Sequence, residues 1–430
     1  MPRSLALFAI LLMFAAFAVQ APARVNGQEP IAVVSEEPRN EFPAGVEFAL
    51  SFRAPSAARE VRLIYELAPD GTGATAAAQC SGGATTNCAI MLSSGRGITI
   101  IPGAEITYHW EIQDQDGNKL STPERKYVHE DTRFTFETVM DGNVTVYYHS
   151  GVEAQARAVL SAAVETLDRV GQLEQTTVQF PVKVFLYMTA DEMQPAIVPT
   201  GGRGVRVLGE VVYSDTAMVS ADVQTLDIAR HEVAHIVTRE ATKGPFDVPV
   251  WLNEGISVFS QSRPIASEDA ALDSAIATDR VLSLAELQST ASRGLSSSVS
   301  LFYGQAGAIV SYLVNTYGEE KFATLLRTFK QGATIDDAFE TVYGFDQFGL
   351  ENEWRQSVGL DARIAPVTST PPPSDSANTG DDGSTNPDDA ANAGDSSGGF
   401  PFVAAALIAL LAVAVAATGY GAFTVARRRL

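Results

Sequence analysis

The stretch that decides the reading is Leu226–Glu240, LDIARHEVAHIVTRE. Leu226, Ile228, Ala229, Val233, Ala234, Ile236 and Val237 recur at helical spacing, and neither Gly nor Pro interrupts them. A largely buried helix is expected. Side chains four apart on a helix share a face, so His231 and His235 can aim their imidazoles at one point. Two imidazoles so placed suit Zn2+, with Zn–N bonds of about 2.0–2.1 Å. Glu232 stands one step round the helix, where it can reach a water beside the ion without binding the ion itself. The plainer reading is two histidines on the inner side of an ordinary helix.

Residues 248–261, VPVWLNEGISVFSQ, weigh against the plainer reading. Trp251, Leu252, Ile256, Val258 and Phe259 mark a second apolar helix, with Pro249 in its start region. Glu254 lies nineteen positions after His235. A second buried helix packed on the first can bring that carboxylate to the same ion. Two histidines and one glutamate leave a fourth position open, as catalytic zinc requires and a closed structural site lacks. Asn253 and Ser257 are candidates to orient the ligands from behind. Taken alone, Glu254 could be a solvated helix-face carboxylate, but its neighbours are apolar.

HEVAH followed by WLNEG resembles the gluzincin metallopeptidases, whose catalytic domains are of the thermolysin type. WLNEG is especially similar to the membrane alanyl aminopeptidase branch. From about Phe134 to Val358 the chain looks closest to the bacterial peptidase-MA-like domain. The segment 301–344, LFYGQAGAIVSYLVNTYGEEKFATLLRTFKQGATIDDAFETVYG, resembles that domain's helical C-terminal half. The resemblance implies His231, His235 and Glu254 as zinc ligands and Glu232 as general base. It implies Tyr303, expected at the start of a helix, as the donor to the oxyanion. One departure matters. The aminopeptidases carry a GxMEN motif whose Glu grips the free amino terminus of the substrate. The corresponding stretch here, DTAMVSADVQ, has no such Glu. Endopeptidase action is therefore expected.

Upstream, residues 28–130 read as an all-β sandwich. VEFALSF (46–52), VRLIYEL (61–67), AIMLSS (89–94) and ITYHWEIQ (106–113) have strand patterns, separated by turn signals such as PDGTG and DQDGN. His109 and Trp110 sit inside a strand pattern, with packing roles. His129 and His149 fall at the domain junction, where a structural or an exposed place is expected rather than a ligand role. Residues 131–363 read as an α+β metallopeptidase domain. RFTFETV (133–139), VTVYYHS (144–150), VKVFLYM (182–188), VRVLGEVVY (205–213) and AMVSA (217–221) are expected strands. Val152–Leu173 is an expected helix, Gly201–Gly204 a loop, and the chain is mostly helical from Leu226 to Val358.

The two ends read as targeting and anchoring segments. Arg3, the apolar run Leu5–Val19 and Ala21-Pro22-Ala23 have the order of a signal peptide over residues 1–23. Residues 364–399 hold six Asp, three consecutive prolines and no Lys or Arg, the composition of a disordered stalk. Residues 400–426 carry no charge through Val425 and exceed the roughly 30 Å hydrocarbon core at about 1.5 Å per residue. Arg427–Arg429 follow in the short basic tail 427–430, which the positive-inside rule keeps in the cytoplasm. A type I membrane protein with its catalytic part outside is expected. The only cysteines, Cys80 and Cys88, flank the loop-like CSGGATTNC and are expected to form a disulfide in an oxidising compartment. A formal net charge of -21 argues against nucleic acid as a partner.

Together these readings make the chain a multi-domain, membrane-anchored extracellular zinc metallopeptidase acting on protein or peptide. The oligomeric state is not legible. The competing function is a cell-surface binding or adhesion protein, in which the sandwich binds and the peptidase fold is a scaffold.

Overall fold

The computed structural model describes residues 31–69, 71–83, 85–93, 100–197, 209–213, 215–221, 224–263, 265–290 and 296–364. The expected signal peptide, glycine-rich loop, membrane span and basic tail lie outside these residues, as does the stalk beyond Ile364. Among the described residues no helix is long and apolar enough to cross a membrane.

The first part of the chain builds two facing sheets. Their strands are β1 (Ala32–Asn40), β2 (Val46–Arg53), β3 (Ala58–Leu67), β4 (Thr72–Ala77), β5 (Gln79–Ser81), β6 (Thr86–Leu92), β7 (Glu105–Asp114), β8 (Lys119–Ser121) and β9 (Arg125–Val128). One sheet runs β1-β2-β6-β5, and the other runs β4-β3-β7-β8 with β9 also on β7. The period-two patterns explain the packing. Val46, Phe48, Leu50 and Phe52 of β2 and Ile106, Tyr108, Trp110 and Ile112 of β7 point into one core. Phe48 meets Tyr108 edge-on at 4.6 Å. Trp110 is fully buried, and His109 lies on the opposite, partly exposed face. Trp110→Ala is expected to destabilise this sandwich by about 3–5 kcal/mol, read as a fall in denaturant midpoint.

Two details differ from the sequence reading. CSGGATTNC is a hairpin rather than a loop. Cys80 on β5 lies directly opposite Cys88 on β6, and the two form the expected disulfide. In addition β1, AVVSEEPRN, is a strand that the sequence conceals. It is an edge strand, mostly exposed and carrying Pro38, so it needs no apolar alternation.

The second part is an α+β unit. Its mixed sheet has the order β10 (Glu137–Asp141), β11 (Val144–Tyr148), β12 (Val182–Tyr187), β14 (Thr216–Ser220), β13 (Gly209–Tyr213). β12 is parallel to both neighbours and wholly buried. Val182, Val184 and Leu186 face the helices, whereas Phe185 and Tyr187 face the other way, into a small cluster with Ile101 from the sandwich side. A strand covered on both faces explains why VKVFLY is nearly continuous in apolar residues. Lys183 spans the same junction, donating to the Gly103 carbonyl at 3.0 Å and pairing with Glu105 and Asp215.

RFTFETV is strand only from Glu137. Before it, Phe134 stacks on His149 at 4.1 Å, Phe136 packs edge-on against Tyr187, and Arg133 pairs with Asp131. These side chains fill the junction instead of alternating across a sheet. His129 and His149 are both buried there, so of the two places expected of them the structural one holds and the exposed one does not.

The helices that matter for the site are α1 (Glu153–Glu174), α3 (Thr225–Thr242), α4 (Val250–Ser260), α5 (Ala266–Ala277) and α7 (Ser296–Tyr317). Helix α3 lies between α1 and α4, and α4 packs closely on α7. A Cβ on Gly255 would stand 2.5 Å from the Ala306 carbonyl oxygen of α7, so this close approach needs glycine.

Candidate metal centre

His231 and His235 lie on the buried face of α3, with Ile228, Ala229, Val233 and Ala234 burying the helix around them. Glu254 enters from the first turns of α4 and is 2 % exposed. His231 Nε2 stands 3.3 Å from Glu254 Oε2, and His235 Nε2 stands 3.5 Å from the same oxygen. One donor atom from each of the three residues lies within 4.8 Å of the others, the spacing of ligands around one ion.

The outer atoms of the rings are already engaged. His235 Nδ1 has Asn253 Oδ1 at 3.1 Å and Ser257 Oγ at 3.0 Å. His231 Nδ1 has the Gln261 amide at 3.4 Å. Asn253 and Ser257 lie one turn apart on α4, and Gln261 caps the C-terminal end of that helix, so one element supplies all three. With Nδ1–H donated to Asn253, the lone pair of His235 Nε2 points inward. The Gln261 carbonyl oxygen is buried and unpartnered, and a flip of that amide would let it accept from His231 Nδ1–H.

What remains at the centre is the fit test for a metal. His231 Nε2, His235 Nε2 and Glu254 Oε2 are buried without a hydrogen-bond partner among the described residues. Three convergent orphans are costly unless a shared partner satisfies them. The field there favours a cation. Burial lowers His231. Burial acts on His235 in the same direction, yet Glu254 and Glu232 hold it up to about 9. Burial would raise Glu254, but the two imidazoles hold it down to about 2. Two imidazoles and one carboxylate, with hydrogen bonds behind them, match the donor set of zinc.

Glu232 is fully buried beside these residues, and its charge acts on both His235 and Tyr303. Tyr303 lies two turns into α7 rather than at a helix start, because the helix already begins at Ser296. Its ring meets His231 edge-on at 6.0 Å. Burial, followed by Glu254, Glu232 and Glu268, raises the phenol well above its ordinary value, so it remains a proton donor. All five sequence candidates on the helices therefore meet at one centre, while Cys80 and Cys88 lie in the sandwich.

Three further side chains lacked a sequence signal strong enough to name them. Gln261 caps the end of α4, and its turn back toward His231 has no signal in the local sequence. Glu174 is buried at the end of α1, where Thr238 Oγ1 donates to it at 2.6 Å, and burial pushes it up to about 8. Glu268 is buried in the first turn of α5. Nothing in local spacing distinguishes either carboxylate from a solvated one.

The family model described as peptidase MA superfamily matches residues 162–359. Residues 162–359, a little under half of the chain, are similar to that superfamily. The superfamily match runs from within α1 past the end of α10 (Gln347–Ser357) and so contains every residue of the centre. A comparison with curated proteins gave no match. Among solved structures, the bromine derivative of BhCBM56 is 14% identical, with 22% of this chain and 89% of that chain covered at a TM-score of 0.16. A carbohydrate-binding module family 56 beta-1,3-glucan binding domain is 17% identical, with 22% and 95% covered at a TM-score of 0.15. These scores carry no argument about fold or function.

Proposed function

We propose that the chain is a zinc metallopeptidase that cuts within peptide chains, held at the outer face of a membrane by residues 400–426. The observation that carries the proposal is the convergence of the buried, unpartnered His231 Nε2, His235 Nε2 and Glu254 Oε2 beside the Glu232 carboxylate. The match of residues 162–359 to the superfamily model supports the same chemistry.

His231, His235 and Glu254 would hold the ion. When bound, zinc supplies Lewis-acid polarisation of the scissile carbonyl. The Glu232 carboxylate accepts a proton from the attacking water and returns it to the leaving amine. The Tyr303 hydroxyl donates to the oxygen on which charge develops. Asn253, Ser257 and Gln261 hold the imidazole rings in position. Tyr303→Phe is expected to lower kcat by about 10²–10³-fold with zinc content unchanged, the usual cost of losing one such donor.

Two features support a peptide substrate cut internally. Among the described residues β13 is an edge strand of the sheet, and an extended segment can pair along such an edge. In the segment that corresponds to the aminopeptidase motif, the one acid on a described side chain, Asp215, is buried in its pair with Lys183 and is not available to a substrate amine. The test is to digest a denatured protein with the zinc-loaded full chain and to sequence the product termini. Internal fragments are expected, and stepwise loss from the amino terminus would overturn the endopeptidase reading.

A further inference from the structure

Glu268 is buried at the same centre and has no part in the chemistry above. It is 6% exposed. Its backbone carbonyl packs on α7 at Gly304, where an added Cβ would come within 2.6 Å of the Glu268 oxygen. Gly304 follows Tyr303, and two residues further Ala306 receives Gly255, the neighbour of Glu254. One stretch of α7 thus draws the first turn of α5 and the ligand-bearing turn of α4 together. The charge of Glu268 acts on Tyr303, and that of Glu254 acts on Glu268.

The carboxyl of Glu268 has neither a hydrogen bond nor an ion pair among the described residues. The charges that act on it, Asp269 and Glu254, are both negative. Burial, then these two acids, push it up to about 8. A mostly buried acid with no partner on the protein, whose carboxylate oxygens are not sealed from solvent, is open to water or to a ligand group. It is not one of the three residues grouped around the ion position, and the role of base falls to Glu232. What such an acid lacks is a cation.

We propose that Glu268 binds a cationic group of the substrate, an alkylammonium or a guanidinium, in a subsite beside the metal centre. This rests on the peptidase reading and gives it a specificity. The cation can come from a Lys or Arg side chain or from a free amino terminus, and the chemistry at Glu268 is the same for both.

The test uses the full chain and one short apolar peptide in four forms, with Lys or norleucine at a central position and a free or acetylated amino terminus. The wild type is expected to favour a cationic form over its neutral twin by about 10- to 100-fold in kcat/KM, the range a hydrogen bond to a charged group supplies. The pair that shows the preference identifies the source of the cation. Glu268→Gln is expected to collapse the ratio, and Glu268→Asp, which keeps an ionisable carboxyl, to retain much of it. A merely structural Glu268 would lower both rates alike and leave the ratio standing. Calorimetric binding of the same peptides to Glu232→Gln, with and without Glu268→Gln, reads the preference without turnover. A preference in binding with no cleavage by wild type would overturn the peptidase reading and leave the subsite standing. Cleavage with no cation preference, or a preference that survives Glu268→Gln, would overturn the subsite alone.

Discussion

Glu232→Gln will bind as much zinc as the wild type and will cleave peptides about 10²–10⁴-fold more slowly, the range that a positioned general base contributes. The two halves of this expectation have separate causes. Glu232 is buried next to the ligands but is not among the three residues whose donor atoms converge, so the amide leaves the ion's coordination intact. The substitution keeps the shape and removes the proton acceptor. Cleavage at the wild-type rate would remove Glu232 from the mechanism. Loss of zinc would make it a ligand instead.

Glu254→Ala will have the larger effect on the ion itself. Its Oε2 is the atom that both Nε2 nitrogens face, at 3.3 and 3.5 Å. Losing an outer partner of a metal ligand costs about 10–100-fold in affinity. Ser257→Ala is expected within that range, because Asn253 still holds His235 Nδ1. Glu254→Ala removes a ligand outright and must fall below it. Competition titration with a zinc-chelating dye ranks the two variants. An equal loss in both would mean that Glu254 orients the site without binding the ion.

The sequence disclosed the three candidate ligands because their signal is local. His231 and His235 share a helix face by spacing alone, and an apolar helix around Glu254 placed it inside. The alternation of β2 and β7 disclosed the sandwich in the same way. Other features depend on distant neighbours. β1 hides because an edge strand tolerates polar residues and Pro38. The strand read at Arg133–Phe136 failed because those aromatic side chains fill the junction with Tyr187 and His149. Tyr303 entered by resemblance, and its place beside His231 depends on how α7 packs on its neighbours. Glu174 and Glu268 are legible only in three dimensions, since a carboxylate near a helix end normally faces water.

The central claim is that His231, His235 and Glu254 hold one zinc ion with a position left open. Anomalous diffraction at the zinc edge, from crystals of the protein grown with zinc, tests it most directly. One peak is expected, about 2.0–2.2 Å from His231 Nε2, His235 Nε2 and a Glu254 carboxylate oxygen, with no fourth protein ligand. A folded, zinc-supplied protein with no peak there, or with a fourth side chain closing the coordination, would contradict it.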